Sequence, residues 1–172
     1  MVKGSSGWYA LFVQSQQEEK VKKMLELEIG DEFQYLIPKR KLRERKGGKW
    51  QFVTRRLFPG YILIHGNITV DWYYRIKRIP DVIKFLRDDE EVLQIDEREL
   101  KVLNILVDKS DTVEMSTVYK QGDTIQVIDG PLQGLEGRIV SINRRKGRAK
   151  VRINFLNQEK VVELGVNVVD KI

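Results

Sequence analysis

The last third of the chain allows little choice of architecture. From Tyr119 onward it reads as five short β-runs: TIQVI, GRIVSI, AKVRINF, EKVVEL and VNVVDKI. They are separated by Asp129-Gly130-Pro131 with Gly134, by Arg145-Lys146-Gly147 and by Asn157-Gln158. No helical period survives between these turns. Five short strands joined by tight turns in roughly 50 residues bury their apolar side by closing into a small β-barrel.

The region before it has a different rhythm. Trp8–Val13 (WYALFV) is a buried strand, and Ser15 followed by Glu18 forms a capping-box pattern. Val21, Met24, Leu25 and Ile29 then recur at helical spacing up to Gly30. Phe33–Leu42 and Lys49–Val53 flank Gly47-Gly48, so they are expected to form a hairpin, with Trp50 and Phe52 on one face. Pro59-Gly60 is a turn that leads into a strand from Tyr61 to Ile64. A second helix, capped by Asn67 or Thr69, buries Trp72 or Tyr73, Ile76 and Ile79 and ends at Pro80. Val82–Leu86 is a further strand, Asp88–Glu91 an acidic turn, and Leu100, Leu103, Leu106 and Val107 the apolar side of a third helix begun by Asp96 and Glu99. Interleaved helices and antiparallel strands indicate an α+β sandwich. The expected organisation is residues 8–108, a linker over 109–118, and the barrel over 119–172. The small polar start, Met1–Gly7, is left outside the fold.

Charge narrows the function. The net charge is +6, and Asn143–Phe155 carries Arg144, Arg145, Lys146, Arg148, Lys150 and Arg152 with no acid. Such a run is either a solvated face or a grip on a polyanion. Lys39–Lys49 is similarly basic, with Glu44 its one acid. With no cysteine there is no disulfide or thiolate site, which is compatible with the expected cytoplasmic location. No run of about 18 apolar residues indicates a membrane span, and no apolar h-region a signal peptide. The one histidine, His65, has no catalytic partner in sequence, no phosphate- or dinucleotide-binding glycine pattern occurs, and Asp88 with Asp89 reads as a solvated turn. Neither enzyme activity, nor a cofactor, nor a metal site is expected.

Two stretches carry a family resemblance. Phe58-Pro59-Gly60-Tyr61 with the following ILI, preceded by the basic hairpin and by Trp8-Tyr9, is one; GDTIQVIDGPLQGLEGRIVSI, Gly122–Ile142, is similar to a KOW motif. In this order they resemble the NusG family of transcription elongation factors. The resemblance implies an N-terminal NGN domain riding on the clamp of RNA polymerase and a C-terminal KOW barrel that recruits another partner. It places polymerase contacts at Phe58, Tyr61 and Phe85, with Tyr61 also suited to the core. It places a DNA-facing surface at Tyr73, Tyr74, Arg75, Lys77 and Arg78, with non-template DNA as a further partner.

The sequence departs from the general family pattern in two places. Leu132 and Leu135 stand where general members tend to carry aromatics that help bind the termination factor Rho or a ribosomal protein, and leucine supplies no ring. The later turn is basic where general members often place acids. Arg binds phosphate bidentately and stacks on bases, so the expected ligand of Arg144, Arg145, Lys146, Arg148, Lys150 and Arg152 is a nascent RNA hairpin. The pattern resembles the specialised antiterminators of the LoaP branch, acting as a monomer. The Val- and Ile-rich barrel segment argues against the refolding into helices known for the RfaH branch. A general NusG-type factor whose KOW domain binds proteins is the alternative.

Overall fold

The computed structural model describes residues 6–87 and 91–170, so Asp88, Asp89 and Glu90 of the expected acidic turn lie outside the described residues. In chain order the elements are β1 (Ser6–Val13), α1 (Glu18–Glu28), β2 (Gln34–Leu36), β3 (Lys39–Lys46), β4 (Lys49–Arg56) and β5 (Tyr61–Asn67). They continue as α2 (Val70–Lys77), β6 (Val82–Phe85), α3 (Glu97–Val107), β7 (Thr112–Val113), β8 (Ser116–Gln121) and β9 (Thr124–Asp129). Three strands end the chain: β10 (Ile139–Asn143), β11 (Arg148–Phe155) and β12 (Gln158–Val169). Two compact units result: the chain up to Ile37 with Phe58–Asp96, and Pro38–Leu57 with the chain from Glu97 onward. This grouping differs from the expected boundaries, because the hairpin and α3 pack with the barrel strands.

The first unit is an antiparallel sheet in the order β2-β5-β1-β6. Tyr9 pairs with Ile64 and Leu11 with Ile62, so the odd-numbered residues of β1 share one face with alternate residues of β5. Val21 and Leu25 of α1, Tyr73 and Ile76 of α2, and Phe85 of β6 complete this core. Ser6 and Gly7, expected outside the fold, belong to the sheet: Ser6 pairs with Asn67 and Gly7 with Gly66. Ser15 and Glu18 do not form the expected capping box. The chain turns at Gln16 with φ 66°, Gln17 takes the cap position without a side-chain bond, and Glu18 is buried. Thr69 does cap α2, its hydroxyl accepting from the Trp72 N–H at 3.3 Å.

In the second unit, β3 and β4 form the basic hairpin. Gly47 and Gly48 have φ of 60° and 79°, the two positive values that a two-residue type I′ turn requires. The hairpin begins at Lys39 rather than Phe33, because Pro38 cannot donate to a ladder, and β2 pairs with β5 instead. The inner face buries Leu42. Within the expected linker, Thr112–Val113 pairs in parallel with β3, and Ser116 opens β8.

The C-terminal sheet has five strands, in the order β10-β11-β12-β8-β9, curled into a half-barrel. The five differ from those expected. EKVVEL and the following VNVV lie in one continuous strand, β12, whose first half pairs with β11 and whose second half runs parallel to β8. Gly165 sits at the crossover, where a side chain would collide with Met115 and the Lys41 carbonyl. The turn between β11 and β12 is Leu156-Asn157, one residue earlier than expected, with φ of 55° and 62°. A leucine in that conformation costs about 1 kcal/mol. The Glu99 carboxylate on α3 offsets this by accepting the N–H groups of Leu156 and Asn157 at 3.1 and 3.0 Å.

Phe85 is fully buried in the first core, its ring stacked on Tyr73 at 5.3 Å. Phe85→Ala is expected to cost about 3–5 kcal/mol of stability, read as a lower midpoint in urea unfolding followed at the first unit.

Candidate nucleic-acid interface

The basic run is a constructed turn followed by one strand face. Asn143 pairs with Arg148 across β10 and β11, leaving residues 144–147 as the loop. The Asn143 side-chain oxygen accepts from the Lys146 N–H at 3.0 Å, and Gly147 takes a φ of 65°. Val166 of β12 donates its N–H to the Gly147 carbonyl at 3.0 Å, which pins the turn from below. Arg144, Arg145 and Lys146 stand exposed around the tip. Along β11, Ala149, Val151, Ile153 and Phe155 are buried, while Lys150 and Arg152 point outward as the alternation predicts.

The six cations are not equivalent. Arg145, Lys146 and Lys150 have no ion pair among the described residues. Arg144 pairs with Asp170, and Arg152 with Glu159 at 3.3 Å, in both cases with exposed partners. Such pairs are worth about 0–1 kcal/mol, so either cation can exchange its carboxylate for a phosphate. Arg148 behaves differently. Its guanidinium turns inward, donates to Glu163 at 2.9 Å, lies 3.8 Å from Glu44, and reaches the Arg43 carbonyl at 3.5 Å. Arg148 is therefore a structural tie, not one of the ligand-facing cations expected from sequence.

The hairpin supplies the other half of this junction. Arg40 donates to the Glu163 carbonyl at 2.6 Å, and burial beside the Arg148 charge lowers its pKa. Two Arg55 hydrogen bonds, at 2.7 and 3.0 Å, hold the Glu44 carboxyl below its ordinary value. On the opposite face of the hairpin, Trp50 and Phe52 are exposed. Alternation in the sequence puts these rings on one face, but their exposure depends on which hairpin face meets the barrel, which alternation alone does not say.

In the first unit the predicted contacts separate. Phe58 is 5% exposed and Phe85 is fully buried, so neither presents a ring to a partner. Tyr61 is half-buried and packs against Phe12, ring centroids 5.4 Å apart, on the sheet face away from the helices. Tyr73 is also buried, its hydroxyl accepting from Arg87 at 3.3 Å. Tyr74, Arg75, Lys77 and Arg78 are exposed on α2, with the Arg75 guanidinium 4.4 Å above the Trp72 ring. The parity of α2 explains the split: Tyr73 shares the buried side with Ile76. His65 packs its ring against Trp8.

The family model "Transcription termination factor nusG" matches residues 6–104, and the KOW motif model matches residues 121–153. The chain belongs to the NusG family. "Transcription termination/antitermination protein NusG" of Rickettsia prowazekii is 30% identical over 171 residues, covering 95% of this chain and 89% of the relative. The protein of the same description from Bacillus subtilis is 28% identical over 176 residues, covering 96% and 98%. A solved structure described as "Domain interaction in Thermotoga maritima NusG" matches with a TM-score of 0.58 over 94% of each chain, at 24% identity, which shows the shared fold.

The chain is thus a NusG-type transcription termination/antitermination factor, and factors of this family act with RNA polymerase. Its NGN and KOW modules account for the α+β fold and for the small barrel expected from sequence, which the structure shows as a curled five-stranded half-barrel sheet. Leu132 and Leu135, in the connection between β9 and β10, are buried, with the Leu132 N–H donating to the Ser116 hydroxyl at 3.0 Å. No helix among the described residues is long and apolar enough to cross a membrane.

Glu44 gives the hairpin junction a pH dependence. Because its folded pKa lies below the ordinary 4.5, its contribution is fully present above that value and is lost as pH falls through the folded pKa. In acid-unfolding curves the native chain should therefore lose stability more steeply below pH 4.5 than Glu44→Gln, with no difference in slope above it.

Proposed function

We propose that this NusG-family chain is a processive antitermination factor. It binds RNA polymerase through its NGN domain, suppresses pausing and termination, and holds a nascent leader RNA hairpin on its KOW domain. The observation that carries the RNA reading is the set of uncommitted cations on one built surface. Arg145 and Lys146 at the tip and Lys150 on the adjoining strand face have no ion pair among the described residues, and Arg144 and Arg152 are held only by exposed carboxylates. A row of unneutralised cations is the electrostatic footprint of a phosphate backbone. The burial of Leu132 and Leu135 favours RNA over a protein ligand, since neither side chain is available as an anchor.

For the NGN domain, Tyr61 with Phe12 is the aromatic surface best suited to polymerase. Tyr74, Arg75, Lys77 and Arg78 form the face suited to DNA: ring stacking for unpaired bases, cations for phosphate. In its general mode and its LoaP-like specialisation, this reading needs no chemistry from the protein beyond binding.

RNA binding is tested by titrating a leader-type hairpin at several salt concentrations. Arg145→Ala is expected to weaken binding and lower the salt slope by about one unit, as loss of one phosphate contact does. An unchanged slope in a folded variant would remove Arg145 from the interface. Tyr61→Ala should reduce affinity for purified polymerase while leaving hairpin RNA binding intact.

A further inference from the structure

Alternation on the β3–β4 hairpin sorts its residues into two chemically different faces. Register pairs Lys41 with Thr54, Arg43 with Phe52 and Arg45 with Trp50, so these six share one face. The other face carries Leu42 and Glu44, and it is spent on structure: Leu42 is 1% exposed, and Glu44 is taken up by Arg55 and Arg148. The first face carries no acid of its own. It leaves Phe52 61% and Trp50 43% exposed, on a strand that is the outer edge of its sheet.

Large rings held in water on an edge strand are costly unless a partner covers them. The cations beside them indicate its charge. The Lys41 ammonium lies 5.0 Å from the Phe52 ring centroid, and the Arg43 guanidinium 5.0 Å from that of Trp50. Lys41 is shared with Glu114 at 3.5 Å, again an exposed pair. The Arg43 Nε is buried and has no hydrogen-bond partner among the described residues, so it is the outer part of the guanidinium that faces the Trp50 ring and the turn. Rings interleaved with cations are what unpaired bases joined by phosphates require, one group for each part of the nucleotide.

This face is also continuous with the basic turn of the barrel. A Cβ built on Gly147 would come 3.6 Å from the Arg43 guanidinium. Arg43 therefore stands between the Trp50 ring and the loop that carries Arg145 and Lys146. The geometry points to Trp50 and Phe52 as a stacking platform for unpaired RNA bases, adjoining the phosphate grip of the 144–147 turn. The ligand is then a stem with an unpaired loop or flank: stem phosphates go to the turn, loop bases to the two rings. The platform rests on the RNA reading above and specifies which part of the RNA each element takes.

The test uses the full chain and two RNAs, a stem-loop and a blunt two-strand duplex of the same stem sequence. The native chain should bind the stem-loop more tightly than the duplex. Trp50→Ala and Phe52→Ala should each weaken stem-loop binding by about 5- to 150-fold, the range for losing one base–ring stack, leaving the salt slope and duplex affinity unchanged. Trp50→Phe, which keeps a ring, should recover most of the loss. Arg145→Ala should lower the salt slope with both RNAs. If the native chain binds both RNAs yet the alanine variants lose nothing, or lose equally on both, the platform is overturned while the RNA reading stands. If the native chain binds neither RNA, the RNA reading fails and the platform falls with it. Unchanged RNA affinity together with weaker polymerase binding would assign the rings to a protein partner and likewise overturn the platform.

Discussion

The Arg148 guanidinium, held between Glu163 on β12 and Glu44 on β3, is the contact on which the basic surface depends. It lies at the base of the very loop whose tip is exposed, and it turns away from that tip. Its side chain keeps 20% of its exposure, so its hydrogen bond to the Glu163 carboxylate is partly shielded from water and stronger than a surface pair. By spending one arginine inward, the chain fixes the hairpin beside the turn and leaves its neighbours outward. Arg40 reaching the Glu163 carbonyl, and the Glu99 carboxylate holding the Leu156-Asn157 turn, secure the same sheet at other points.

This arrangement gives the second unit a division of labour by strand parity. On β11 the even positions from Lys150 face water and the odd ones from Val151 fill the core. On the hairpin, one face packs and the other displays rings among cations. The first unit obeys the same rule on a helix, where Tyr73 is buried against Phe85 and Tyr74, one residue on, is exposed. Neighbouring residues of the same type thus take opposite roles, set by periodicity and not by chemistry.

Much of this was legible in the sequence. The Gly47-Gly48 hairpin turn, the Thr69 cap, the alternation of AKVRINF and the KOW-like glycine spacing each rest on local stereochemistry, and local rules found them. What escaped was decided by distant parts of the chain. EKVVEL and VNVVDKI read as separate runs, but at Gly165 between them the missing side chain lets β12 continue past Met115 and the Lys41 carbonyl. Ser116–Val118 looked like linker because the parallel partner that makes it a strand lies fifty residues on. Arg148 could not be told from Arg145 because its carboxylate partners are Glu163 and Glu44, neither of them near in sequence. Phe58 and Phe85 matched family positions for contact, yet their burial depends on packing that a motif does not record.

The central claim is that RNA capture by the KOW domain is coupled to control of polymerase by the NGN domain. Single-round transcription with purified polymerase and the full chain tests it most directly, on two templates that differ only in whether the leader hairpin precedes an intrinsic terminator. Readthrough raised on the template with the hairpin and not on the template without it is the expected result. Equal readthrough on both would contradict the claim, because the basic surface would then contribute nothing that depends on the RNA.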